Sequence, residues 1–144
     1  SLRLQAQKAG TLYVGNKTFN GSSINVDSPI YVQGNVTING SRFRGTGFIL
    51  ATGNITFNGS NLNQTTEDAV CFYSKNGNIT VNGSGITLDG IVYAPSGSII
   101  LNGSNQTIHG RVIGNTVSIN GSGLSIQSGE NELKALKYSI RLIE

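Results

Sequence analysis

Short segments with alternating apolar and polar residues recur along the chain. Segment 53–57, for example, places Ile55 and Phe57 on one side of the chain and polar residues on the other. Alternation with period two is typical of a β-strand that buries one face. The pattern therefore predicts strands with apolar side chains directed inward. Five segments share it: 34–38, 53–57, 77–81, 97–101 and 115–119.

An Asn-Gly-Ser turn shows that these segments belong to a repeat of about nineteen residues. The turn occurs six times, and its successive Asn residues are separated by 19, 19, 24, 20 and 18 positions. Gly and Asn suit such corners because they tolerate the positive φ of a tight turn. The long interval indicates an insertion, which we expect to form a loop in the polar stretch 61–68. The Asn residues of the turns are Asn20, Asn39, Asn58, Asn82, Asn102 and Asn120.

Two further apolar segments in each repeat predict three short strands per repeat. Short strands with one turn held in the same column through six repeats indicate a solenoid and not a sandwich of long hairpins. We predict an all-β fold, a single-stranded β-solenoid (β-helix) of about six rungs, with right-handed winding as the expected hand. At about 4.8 Å per rung the rod would be about 29 Å long. The turn Asn side chains would stack as a ladder of amides.

The two ends of the chain depart from the repeat. We expect one domain over 1–144, with an N-terminal segment 1–10, a solenoid 11–127 and a C-terminal cap 128–144. In the N-terminal segment, the leucines would help to close that end of the rod or would form the tail of a removed helix. The cap fits a covering helix, although alternation at 138–142 also fits a strand. Its apolar residues at helical spacing are Leu133, Leu136, Ile140 and Ile143.

An apolar strip is expected on the outer side of the third strands, where the apolar runs are too continuous for every side chain to face inward. Left bare, such a strip would exceed the exposure usual in soluble monomers. We expect residues 131–144, as the only remaining segment able to do so, to cover the strip, and we expect their deletion to cause association. The strip is predicted to contain Phe48, Leu50, Phe72, Ile91, Tyr93 and Ile113.

Two consecutive rungs resemble a known kind of domain. Residues 90–103 read Gly-Ile-Val-Tyr-Ala-Pro-Ser-Gly-Ser-Ile-Ile-Leu-Asn-Gly, and 109–121 read His-Gly-Arg-Val-Ile-Gly-Asn-Thr-Val-Ser-Ile-Asn-Gly. This pair resembles the β-solenoid ectodomain of bacterial type IV pilin-like surface proteins, over roughly residues 30–127. The resemblance implies display on a pilin helix upstream of Ser1, with pilus or pseudopilus subunits as partners. Bactofilin-like solenoids are a weaker match.

The composition favours a non-enzymatic protein. Seven acidic residues and one His leave few groups for acid–base chemistry, whereas β-helix enzymes that cleave polysaccharides need several in one groove. We predict no enzymatic activity, no cofactor and no metal site. The ten basic residues are scattered, which argues against a nucleic-acid partner. No apolar run approaches the ~20 residues that span a membrane, so we expect no membrane insertion by this segment.

Outward-facing Asn and Thr residues are the candidates for a ligand-binding ladder. A flat array of amides and hydroxyls would bind surface glycans or ordered water, as in ice-binding solenoids. The alternative, which we favour, is that these side chains only pair across neighbouring strands, which stabilises a sheet by roughly 0.2–1 kcal/mol per pair. The candidate residues are Asn35, Thr37, Asn54, Thr56, Asn78 and Thr80.

Other reactive side chains are interpreted as structural. We expect His109 to be an isolated, solvent-facing residue in a rung corner. Glu67, Asp68 and Asp89 would form the one carboxylate cluster open to a metal or a general acid, and we interpret them as polar loop residues. Cys71 lies in an apolar run and is predicted to be a small core residue, not a nucleophile.

Three functional hypotheses follow from these features. The first is a non-enzymatic structural or adhesive domain at the surface of a bacterial cell, carried by a pilin-like protein. The second is a bactofilin-like cytoskeletal solenoid in the cytoplasm, which would stack end to end because bare terminal rungs are templates for growth. The third is a carbohydrate- or ice-binding module that uses the Asn and Thr columns.

Overall fold

The computed structural model describes residues 1–21, 23–59 and 69–127. None of the helices in these ranges is both long enough and apolar enough to cross a membrane. The elements of the described ranges are, in chain order, α1 (Leu2–Ala9), β1 (Leu12–Val14), β2 (Lys17–Asn20), β3 (Ser23–Asn25), β4 (Ile30–Gln33), β5 (Val36–Asn39), β6 (Arg42–Arg44), β7 (Thr46–Ala51), β8 (Ile55–Asn58), β9 (Ala69–Ser74), β10 (Ile79–Val81), β11 (Thr87–Leu101), β12 (Thr107–Ile119) and β13 (Ser125–Gln127).

The strands stack in parallel, each beside the equivalent strand of the next turn. Val36 lies beside Ile55 and Thr37 beside Thr56, so that like residues meet one repeat apart. The chain is therefore a mostly β, parallel β-solenoid of about six turns with a spacing of about 19 residues, preceded by one short helix. This confirms the fold predicted from the sequence. Right-handed winding stays a prediction.

Three faces surround the interior of the rod. The Asn–Thr face consists of β2, β5, β8, β10 and the final residues of β11 and β12. The short face pairs β3 with β6, and further along it pairs the first residues of β11 and β12 with β13. The apolar face consists of β1, β4, β7, β9 and the middle of β11 and β12.

Large apolar side chains from all three faces fill the interior. Phe43, Phe57 and Phe72 come from the short, Asn–Thr and apolar faces respectively, and all three are fully buried. The Phe72 ring centroid lies 5.4 Å from that of Phe43 and 4.9 Å from that of Phe57, with the rings nearly perpendicular. Edge-to-face contacts of this kind add to the gain from burying the rings.

A second apolar cluster covers the outer side of the apolar face. It contains Phe48, Leu50 and Ile91, as the predicted strip does, and Tyr93 packs against it. The prediction for Phe72 is wrong, because this ring points into the interior and its neighbours point outward instead. Alternation along β9 explains the difference: Val70 and Phe72 face inward, so Cys71 and Tyr73 must face outward. Burial of Cys71 is confirmed, although in this outer cluster.

Helix α1 packs on that outer cluster. Its residues Leu2 and Ala6 are four apart and therefore lie on one side of the helix, where both are buried. Ser1 caps the first turn, and Gly10 ends the helix in the left-handed conformation. The prediction that residues 131–144 were the sole segment able to cover the strip is thus wrong. Residues 131–144 themselves, like the predicted loop 61–68, lie outside the described residues, so the cap and the loop both remain predictions.

Glycine is required at the Asn-Gly turns for two different reasons. In the early rungs the turn glycine has a positive φ, 70° at Gly40, as the sequence predicts. In the later rungs the limit is space: a Cβ on Gly103 would overlap the backbone carbonyl oxygen of Gly83 in the preceding rung. The same turn sequence therefore serves two backbone geometries.

Candidate functional site

The Asn residues that begin each strand of the Asn–Thr face bind the backbone of the following rung. The side-chain oxygen of Asn35 accepts a hydrogen bond from the backbone N–H of Asn54, and that of Asn54 accepts one from Asn78, both at 2.8 Å. The side-chain oxygen of Asn78 in turn accepts from the N–H of Ser98 at 2.8 Å. Half of the predicted ligand-binding ladder is therefore engaged in joining consecutive rungs.

The first member of this column, Asn16, was not among the residues predicted from the sequence. Asn16 accepts a hydrogen bond from the backbone N–H of Asn35 at 2.9 Å and so begins the series. Its position nineteen residues before Asn35 is the signal that could have revealed it. At the other end of the column, the hydroxyls of Ser98 and Thr116 form a hydrogen bond with each other.

Threonine hydroxyls form the second column of the Asn–Thr face. Thr37, Thr56 and Thr80 lie side by side in three consecutive strands, and Thr18 extends the column by one rung. Thr37, Thr56 and Thr80 are half-buried, whereas Thr18 is exposed. Ile100 is the next member, so the hydroxyl row stops there before Ser118. Four hydroxyls spaced about 4.8 Å apart form a straight row that could donate to and accept from a flat ligand.

The predicted turn Asn residues lie in one column beside the Thr row. Asn39 donates from its side-chain nitrogen to the side-chain oxygen of Asn20 at 3.0 Å, and Asn82 donates in the same way to Asn58 at 3.0 Å. The side-chain nitrogen of Asn102 donates to the side-chain oxygen of Asn82 at 2.9 Å. The side-chain nitrogen of Asn120 likewise donates to the side-chain oxygen of Asn102 at 2.8 Å. These bonds give the turn amides a structural role along the edge of the rod.

Asp89 and His109 form a pair that the sequence analysis did not foresee. Both lie in strands, Asp89 in β11 and His109 in β12. The predictions that Asp89 is a loop residue and that His109 lies in a rung corner are therefore wrong. The Nδ1 atom of His109 lies 3.3 Å from a carboxylate oxygen of Asp89, whose side chain is 9% exposed. Their separation of twenty residues is one repeat, which places them side by side in adjacent strands. Such a pair can hold one orientation of the imidazole ring.

The described side chains offer little for metal chemistry. Across residues 1–21, 23–59 and 69–127, no group of three or more His, Cys, Asp or Glu side chains could hold a metal ion. Glu67 and Asp68, which were expected near Asp89, lie outside those ranges. The Asp89–His109 pair by itself supplies two ligands, fewer than a structural zinc site uses.

Tyrosines give the apolar face its polar groups. Burial raises the pKa of the Tyr73 hydroxyl above its ordinary value, and repulsion from Tyr93 and Cys71 raises it further. The Tyr73 ring lies beside that of Tyr93, with 5.0 Å between their centroids. Tyr73 is therefore neutral at neutral pH and adds no charge to the surface on which α1 packs.

A family model identifies the domain to which these features belong. The model described as "Domain of unknown function (DUF7305)" matches residues 8–134. The chain belongs to the DUF7305 family. No curated protein and no solved structure matches it. The match begins near the end of α1 and includes all the strands of the described residues, so this DUF7305 domain is a β-solenoid.

The polar surface of this DUF7305 domain consists of two Asn columns and a Thr row with different hydrogen-bonding roles. Its Asn columns are engaged along the rod, and its Thr row presents neutral hydroxyls that are half-buried or exposed. Neutral hydroxyls of this kind recognise polar, uncharged ligands or water by geometry and not by charge. The Thr row is accordingly the part of the predicted ligand-binding ladder that has the better chemistry for binding.

Proposed function

We propose that this DUF7305 domain is a non-enzymatic structural or adhesive domain displayed outside a bacterial cell on a pilin-like carrier. Its partners on that carrier would be pilus or pseudopilus subunits. The observation that carries the proposal is the docking of α1, which buries Leu2 and Ala6 against the outer side of the apolar face. A docked N-terminal helix gives a rigid connection between an upstream segment and the rod, whereas a flexible linker would not.

Hydrogen bonds strengthen the junction between α1 and the rod. The hydroxyl of Thr11 donates to the carbonyl oxygen of Pro29 at 2.6 Å, and the N–H of Thr11 donates to the carbonyl oxygen of Ala6 at 2.8 Å. With its amide oxygen turned toward the helix, Gln33 accepts from the Arg3 guanidinium at 2.9 and 3.2 Å. Both ends of the helix are therefore tied to the first two turns of the solenoid.

The chemistry of the exposed polar groups supports a non-enzymatic role. Catalysis by general acids and bases needs titratable groups placed around one substrate. The side-chain oxygens of Asn35, Asn54 and Asn78 are instead occupied in joining rungs. A rod whose Asn–Thr face presents columns of uncharged amides and hydroxyls is suited to display and contact.

Surface labelling of intact bacteria tests this proposal. In a strain that produces the full gene product, antibodies raised against residues 11–127 are expected to label unpermeabilised cells in immunogold electron microscopy. Removing the chain upstream of Ser1 is expected to abolish that labelling while the domain still accumulates, because the carrier would be lost. An antibody against a cytoplasmic protein is the control for cell integrity. Labelling that requires permeabilisation would refute the proposal.

The Thr row favours a second candidate function, binding of a carbohydrate or of ice. Thr18, Thr37, Thr56 and Thr80 are aligned in four consecutive strands. Their hydroxyls recur at the strand spacing of about 4.8 Å. Such a regular row matches a ligand that also presents hydroxyls or water molecules at regular intervals.

Replacing Thr56 and Thr80 together with lysine is expected to abolish binding on a glycan array or inhibition of ice growth. Two charged, bulky side chains would interrupt the row but remain on the outside of the rod, so the melting temperature should shift by only a few degrees at most. Thr107→Lys, a half-buried position on the short face, is the matched control and should bind normally. Absence of any binding by the unmodified domain would exclude this function.

A further inference from the structure

The amides that begin the strands of the Asn–Thr face have only one of their two polar atoms engaged. Each side-chain oxygen accepts the backbone N–H of the next rung, as Asn54 does from Asn78. Within the described part of the chain, the side-chain nitrogens of these residues have no hydrogen-bond partner, and the residues themselves are exposed. We call these nitrogens the amide row, which belongs to Asn16, Asn35, Asn54 and Asn78.

The bond to the next rung fixes the orientation of each amide. An unrestrained Asn side chain can turn either its oxygen or its nitrogen toward a ligand. On this face the oxygen of Asn35 is held 2.8 Å from the backbone nitrogen of Asn54, which leaves the NH₂ group on the solvent side. Donors that are already oriented lose little conformational entropy when a ligand binds. The amide row is therefore a preorganised line of hydrogen-bond donors.

The amide row and the Thr row together form a shallow trough along the rod. Within each strand the Asn and the Thr are two residues apart, so both point outward. The longer Asn side chains are exposed, whereas Thr37, Thr56 and Thr80 are half-buried. Hydroxyls thus form the floor of the trough, and the amide row forms one wall. The trough crosses four consecutive rungs and is about 14 Å long.

The outward residues of the trough are uncharged. The one lysine in its strands, Lys17, lies in the inward column beside Val36. A phosphate backbone or an acidic polymer would therefore find no cation among the outward positions. A flat ice surface would meet the amide wall before it reached the half-buried hydroxyls. An extended chain of sugars fits better, because it is narrow and presents hydroxyl and ring oxygens that accept hydrogen bonds at regular intervals.

We propose that the trough binds one extended chain of an uncharged polysaccharide, with the amide row donating to its oxygens. This inference rests on the second candidate function and deepens it, because it names the ligand class and adds the amide nitrogens as the groups that recognise it. The predicted cap 128–144 has its apolar residues at helical spacing, which suits an apolar surface and not this polar one.

Cosedimentation of residues 1–144 with insoluble polysaccharides tests the inference. Cellulose, chitin and granular starch are the uncharged probes, and calcium alginate is the acidic one. The unmodified chain is expected to bind at least one uncharged probe with saturation and to bind alginate much more weakly. Equal binding to alginate would overturn the choice of an uncharged ligand. Binding to none of the uncharged probes would overturn this inference, whereas surface display is decided separately by labelling of intact cells.

Asn54→Asp removes one outward donor with little change to the rungs. The carboxylate still offers an oxygen to the N–H of Asn78, but it places an acceptor where the NH₂ group was. We expect binding to weaken by at least about fivefold, because one hydrogen bond is lost and two oxygens face each other. Asn25→Asp is the matched control and should bind normally. Asn25 is exposed on the short face, and its side-chain oxygen likewise accepts a backbone N–H, that of Asp27.

A double variant extends the test along the row. Asn35→Asp with Asn78→Asp leaves Asn54 between the two new carboxylates, so the separate losses should multiply to at least about 25-fold. Melting curves show which variants fold, and either Asp variant decides if the other does not. Normal binding by the Asp variants, in a chain whose binding is abolished by lysine at Thr56 and Thr80, would overturn the role of the amide row and leave the second candidate function in place.

Discussion

Replacing Phe72 with alanine is expected to lower the free energy of unfolding by about 3–5 kcal/mol. Phe72 is fully buried, and its ring contacts the edge or face of both Phe43 and Phe57. Because these rings come from three different faces, the cavity would loosen all three at once. A loss of this size is a large fraction of the roughly 5–15 kcal/mol that stabilises a typical domain.

Urea unfolding followed by circular dichroism measures this effect. Phe72→Leu keeps an apolar side chain in the site and is the matched control, with an expected loss of about 1–1.5 kcal/mol. Tyr73→Leu changes the adjacent residue on the outer side of the same strand and should also cost less than Phe72→Ala. If Phe72→Ala unfolds at the same urea concentration as the unmodified chain, the ring does not occupy the interior that the structure assigns to it.

The orientation of Phe72 illustrates where the sequence pattern is insufficient. In β5 and β8 a polar residue stands between two apolar ones, so period two reveals the inward face directly. The run from Val70 to Phe72 is apolar throughout, so its sequence pattern does not show which side chains face inward. In the structure Phe72 pairs with Val92 in the interior and Cys71 pairs with Ile91 in the outer cluster. Register between rungs, not local pattern, sets which side is buried.

The candidate site was likewise predictable only in part. Columns of Asn and Thr were predictable because the repeat length fixes which residues become neighbours. The use of the Asn side-chain oxygens was not, since an outward Asn can bind solvent, a ligand or the backbone of the next rung equally well by sequence. The structure shows that Asn54 bonds to the N–H of Asn78, whereas the adjacent Thr56 has no such assigned role. The Asp89–His109 pair was not evident from the local sequence because its members are one repeat apart and meet only in adjacent strands.

For residues 1–10 the sequence left two alternatives open, closure of the end of the rod and the tail of a helix, and it did not show where a helix would pack. An eight-residue helix is marginal in water on its own, so its formation depends on packing against the rest of the protein. Its apolar residues Leu2 and Ala6 gain that packing from the outer cluster of the apolar face. Because the proposed function rests on this helix, its docking is the contact whose loss has the clearest functional consequence.

Ala6→Glu is expected to detach α1 from the rod without unfolding the solenoid. Ala6 is fully buried, and a carboxylate forced against the apolar cluster would cost more than the contact of the helix contributes. Exposing a buried side chain such as Leu2 lowers the free energy that holds α1 on the rod by roughly 1.5–3 kcal/mol. This corresponds to an increase of about 10- to 100-fold in the fraction of molecules in which the helix is detached. The N–H of Thr11, which donates to the carbonyl oxygen of Ala6, should exchange with solvent faster by that factor.

Hydrogen exchange measured by mass spectrometry provides the comparison, and binding of a hydrophobic dye reports exposure of the surface beneath the helix. Gln5→Glu adds the same charge at an exposed position of the same helix, and it should change neither quantity. Unchanged exchange at Thr11 in Ala6→Glu would show that the helix is not held by this contact.

If the helix detaches as expected, the rod loses its rigid connection to any upstream carrier, and full-length protein with Ala6→Glu should show a variable angle between carrier and rod in electron micrographs. Retention of a fixed angle would mean that contacts other than those of α1 orient the domain.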